Sequence, residues 1–170
     1  MLIVAIPLLF GSTQIQAEQW PDHGFFVVRT NLDQRGGGLR CEMLLSLQVD
    51  KRLFALVLVE GEGGRLPLQV HYMSGDPRIA VTDKVVVKVD DTKVIAFTPL
   101  KRTTEPEIGV VVGEYRDREA AARVWEALAS SSVKAEWLTV VTAVLTDRVP
   151  AGGLREALAD FAQCRTRRSS

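Results

Sequence analysis

The sequence predicts a mainly β protein: an antiparallel β-sandwich of about seven or eight strands, with one helix inserted late and one at the C-terminus. Three observations carry this. Leu39–Val49 (LRCEMLLSLQV) alternates with a period of two. Leu39, Cys41, Met43, Leu45, Leu47 and Val49 share one face, and the mostly polar Arg40, Glu42, Leu44, Ser46 and Gln48 share the other, as in a strand of an antiparallel sheet with one covered face. Short apolar runs separated by Gly, Pro and Asp turns fill most of residues 25–112. After Asp117 the period changes to that of a helix.

In chain order, residues 2–10 (LIVAIPLLF) form an unbroken apolar run. It falls short of the ~20 residues of a transmembrane helix. Small and polar residues follow, and Ala17 precedes Glu18, the first charge in the chain. This is the layout of a signal peptide over residues 1–17, although no Lys or Arg precedes the run. Pro7 argues against a buried central strand. Cleavage would leave residues 18–170 as one domain, with no change in charge and no membrane span.

Residues 25–31 (FFVVRTN) read as a strand, and Gly36, Gly37 and Gly38 as the turn after it. Residues 53–59 (LFALVLV) are continuously apolar and read as a strand covered on both faces. A glycine turn at 61–64 leads to a strand at 66–73, which Pro67 places at an edge or a strand start. Residues 84–89 and 93–97 flank Asp90 and Asp91 as a hairpin. Residues 99–106 read as loop and 108–112 as a short strand. Asp117 can cap a helix whose face is Ala121, Val124, Trp125 and Leu128. The β-branched and aromatic residues of 136–145 suggest one buried strand. Residues 150–153 break the chain. Leu154, Ala157, Leu158 and Phe161 then repeat the helical spacing, ahead of a frayed basic tail at 165–170.

Composition narrows the function. Lys plus Arg equals Asp plus Glu at 21 each, which argues against a nucleic-acid partner, since such a protein needs excess cations for phosphate. With only two His and two Cys, a zinc site of the Cys/His type is nearly excluded by supply, and no cofactor motif is present. Gly36–38 precede a strand, the wrong context for a phosphate loop, and Gly152 and Gly153 lack the G-K-[ST] that would make one. No G-x-S-x-G elbow occurs.

Cys41 lies on the apolar face of its strand and Cys164 on the apolar stripe of the last helix, so both sulfurs should enter the core. In an oxidising compartment they would form a disulfide that pins this helix across the sheet. Two separate buried thiols are the alternative. His23, beside Asp22, could be a general base oriented by a carboxylate, or a solvated residue. His71, within a strand, reads as a packed or hydrogen-bonded sheet residue before it reads as a ligand. Glu60 and Glu62, and Asp90 and Asp91, are acidic turn pairs without the spacing of a calcium loop. Trp20, Trp125 and Trp137 read as core anchors.

The order of Trp20, a first strand leading to Cys41, the segment SGDPRIAVTDKVVVKVDD (74–91) and the closing PAGGLREALADFAQC (150–164) resembles the invasion-associated locus B family of bacterial envelope proteins. The similarity spans most of residues 18–164. The further central cysteines common in that family are absent here from 97–113. The resemblance implies a periplasmic or secreted protein, linked in some members to host-cell invasion, with no established enzymatic mechanism. The expected function is therefore a non-enzymatic interaction or envelope-supporting role, with a protein or envelope component as partner. One alternative is a periplasmic carrier for a small apolar or lipid ligand, which needs a cavity between the sheets. Another is a small hydrolase using His23 or His71.

Overall fold

In a computed structural model, residues 19–32, 39–49, 52–60, 67–105 and 107–168 are described. The segment 1–17, read as a signal peptide, and the segments 36–38 and 61–64, read as glycine turns, lie outside them. The strands, in chain order, are β1 (Phe26–Leu32), β2 (Leu39–Val49), β3 (Arg52–Val59), β4 (Leu68–Ser74), β5 (Val85–Val89), β6 (Thr92–Phe97), β7 (Lys101–Glu105), β8 (Ile108–Tyr115), β9 (Trp137–Thr142) and β10 (Thr146–Pro150). The helices are α1 (Arg118–Ser131) and α2 (Leu154–Arg168). One antiparallel sheet has six strands in the order β1-β2-β3-β4-β8-β7, and the other has four in the order β10-β9-β5-β6. The mainly β sandwich with a late helix and a C-terminal helix is thus present.

Alternation sets the register, because a slip of one residue would turn the apolar set outward. Cys41, Met43 and Leu45 face the core, as do Phe54, Leu56 and Leu58 from β3 and Val70 and Tyr72 from β4. Val85, Val87, Leu138, Val140 and Val149 meet them from the second sheet. β3 sits between β2 and β4, and Ala55 and Val59 on its other face are also buried. α2 extends the second layer over β1 and β2 with Leu154, Ala157, Phe161 and Cys164. α1 packs against β6 and β8. Its first turn is capped by Asp117, whose carboxylate accepts from the backbone N–H groups of Glu119 and Ala120. Gly113 lies opposite Val70 in the sheet and directly beneath the Phe97 ring, which leaves no room for a Cβ.

Four expectations are corrected. The strands among the described residues number ten, not seven or eight. Residues 101–105, read as loop, form β7. Its visible side chains are polar and exposed, so it has no apolar period, and its charges suit a sheet edge. Residues 136–145 are not one strand: the chain turns after Thr142 and returns as the edge strand β10, which buries Val149 and closes on Pro150. The basic tail stays helical through Arg168.

Candidate functional site

Inward alternation places Tyr72 in the core with its side chain fully buried. A phenol hydroxyl there needs a partner. It donates to Asp147 Oδ2 at 2.5 Å. Asp147 reaches it because β10 alternates, turning Asp147 and Val149 inward while Thr146 and Arg148 stay exposed. Burial, then the Asp147 carboxylate, pushes the Tyr72 phenol well above its ordinary value, so it is fixed as a proton donor. The Phe54 ring lies 5.8 Å from it, tilted by 58°.

Asp147 lines an open cleft of about 550 Å³ between the ends of the two sheets, and Tyr72 lies buried behind it. Its apolar wall is Leu47, Leu53, Phe54, Leu145 and Val149. Ser74 and Asp76 follow Tyr72 along the rim. The Asp76 N–H donates to Ser74 Oγ, and its carboxylate caps the short 3-10 helix Pro77–Val81 while accepting from Arg78 Nε at 2.9 Å and Nη2 at 2.6 Å. Arg78 is therefore matched locally. The Arg148 guanidinium turns to the outer face of the second sheet and lies 4.3 Å from the centroid of the Trp137 ring. Among the described residues no cation forms an ion pair with Asp147.

Other hollows occur among the described residues. One, of about 420 Å³, lies between the helices, where Arg165 Nε donates to Glu60 Oε1 at 3.1 Å beside Trp125. Another, of about 540 Å³, is a shallow groove on the outer face of the second sheet, lined by Lys88, Thr139, Arg148 and Trp137.

Cys41 and Cys164 form a disulfide, with Cα atoms 6.1 Å apart and both residues buried. His23 does have a carboxylate partner, but the sequence neighbour Asp22 is not it. Its Nε2 meets Asp160 Oδ2 of α2 at 2.8 Å, and Asp22 accepts from Gln19 instead. His71 Nε2 pairs with Gln69 Oε1 at 2.8 Å, on the side of β4 facing away from Tyr72. Burial, then the Arg40 guanidinium, lowers its pKa. The two histidines thus sit on different elements with different partners.

Glu60 pairs with Arg165, and Glu62 lies outside the described residues. Asp90 accepts from the backbone N–H groups of Glu136 and Trp137 at 3.2 and 3.0 Å, joining the β5–β6 turn to β9. Among the described residues no group of three or more His, Cys, Asp or Glu could hold a metal ion. Trp20 is a core residue whose indole N–H donates to Gln163. Trp125 is partly buried and stacks on Phe161. Trp137 is no core anchor; it faces outward under Arg148.

Sequence reasoning did not single out Tyr72, Ser74 or Asp147. Ser74 and Tyr72 do share the inward face of β4, which is a signal. Asp147 sits two residues before Val149, but that means nothing until β10 is recognised as a strand.

No family model matches the chain, and neither does any curated protein. Among solved structures, the crystal structure of invasion associated protein B from Bartonella henselae is similar over 86% of this chain and 97% of that one, with a TM-score of 0.56. The chain shares its fold with that protein. At 18% sequence identity the likeness is one of fold alone. The order of features read from Trp20, Cys41, 74–91 and 150–164 therefore meets a common architecture.

Proposed function

We propose that the chain is exported to the periplasm or beyond and acts there as a non-enzymatic interaction or envelope-supporting protein. The observation that carries this is the Cys41–Cys164 disulfide: such bonds persist in oxidising compartments and are rare in a reducing cytosol. The apolar run at 2–10, ending before Ala17, supplies the export signal. No helix among the described residues is long and apolar enough to cross a membrane. The name of the similar Bartonella protein extends the proposal to a role in host-cell invasion, with a protein or envelope component as partner.

Fusing the N-terminal segment to a reporter enzyme that is active only after export tests the first half. Activity should appear, and deleting residues 2–10 should abolish it; equal activity without them would contradict export. Cross-linking on intact cells tests the second half. The exported chain should be captured with an envelope or host-surface component, and His23→Ala and His71→Ala should leave that capture unchanged.

One observation favours the carrier as a second reading. The cleft between the sheets has an apolar wall and a volume of about 550 Å³, within the range of small-molecule sites, roughly 300–1,000 Å³.

A further inference from the structure

We propose that the cleft between β4 and β10 takes a small organic cation, an ammonium head on an apolar stem, with Asp147 as its counter-charge. This deepens the carrier reading and rests on it.

The apolar wall of Leu47, Leu53, Phe54, Leu145 and Val149 would accept the stem. The charges of the rim decide the head. Arg78 is held by Asp76 through several hydrogen bonds. Arg148 also lines the cleft, but its guanidinium lies over the Trp137 ring on the opposite face of the strand. Neither cation pairs with Asp147, whose one described partner is the neutral hydroxyl of Tyr72 on Oδ2. An ionised carboxylate beside apolar side chains gains most from a cation with N–H donors, through a charge-assisted hydrogen bond. An anionic head would meet Asp147 and Asp76 with their negative charge and find Arg78 already taken. The Tyr72 hydroxyl holds the carboxylate from behind, fixing its rotamer before any ligand arrives.

Calorimetric titration of the oxidised chain with octylammonium, octanol and octyl sulfate tests this. Octylammonium should bind at least roughly tenfold more tightly than octanol, the worth of one modest ionic hydrogen bond, and octyl sulfate more weakly than octanol. Asp147→Asn should remove the preference for octylammonium. Tyr72→Phe, which keeps the carboxylate but releases its rotamer, should weaken octylammonium binding while still leaving it tighter than octanol. Equal binding of octylammonium and octanol, or tighter binding of octyl sulfate, would overturn the proposal and leave an apolar carrier standing. Binding of none of the three would overturn both. The comparison on the unaltered chain decides even if a variant fails to fold.

Discussion

Gly113 lies so close beneath the Phe97 ring that adding a single methyl group must move the ring or the strand. Gly113→Ala should therefore lower stability by about 1–3 kcal/mol, seen as a lower urea midpoint at unchanged slope. His71 makes a different kind of prediction. Its folded-state pKa lies below the ordinary 6.5, so the unfolded chain binds the proton more readily. The unaltered chain should lose stability as pH falls below about 6.5, whereas above it both states are neutral and the effect vanishes. Urea midpoints between pH 7.5 and 5.5, on the order of one unit either side of that value, should fall less for His71→Gln than for the unaltered chain. An equal fall would assign the acid sensitivity to other groups. At this scale the sequence was legible where a clear period set a residue's face, and not for Trp137, whose segment was read as one buried strand. Cys41 and Cys164 were placed in the core by period alone. Tyr72–Asp147 and His23–Asp160 were not legible, because each pair joins elements far apart in the chain.

Lys88 on β5 stands across from Lys93 on β6, and among the described residues neither forms an ion pair with a carboxylate. Like charges opposed across strands oppose pairing, so Lys93→Glu should raise stability by about 0.2–1 kcal/mol, most visibly at low salt. Asp117→Ala should lower it by about 0.5–2 kcal/mol through loss of the α1 cap, measured as a shift of the same midpoint. Elements with a buried face were legible in order and nearly in extent: β2 and the starts of α1 and α2 coincide with their apolar periods. β7 and β10 were missed because an edge strand has few side chains to bury. Its pairing partner, β8 or β9, specifies it more than its own sequence does.

In the whole molecule, one covalent link holds the C-terminal helix to the second strand across a separation of 123 residues. Closing so long a loop constrains the unfolded chain, so reduction should lower stability by about 2–5 kcal/mol and loosen α2 first. The two-sheet architecture was legible from turn spacing and alternation. The cleft was not, because it is made by the relative ends of two sheets. Export of this disulfide-pinned sandwich is tested most directly by the intact mass of the chain recovered from a bacterial host with its own N-terminus, before and after reduction. The expected result is a chain lacking residues 1–17 that gains two hydrogens on reduction. A full-length chain carrying two free thiols, with its mass unchanged by reductant, would contradict it.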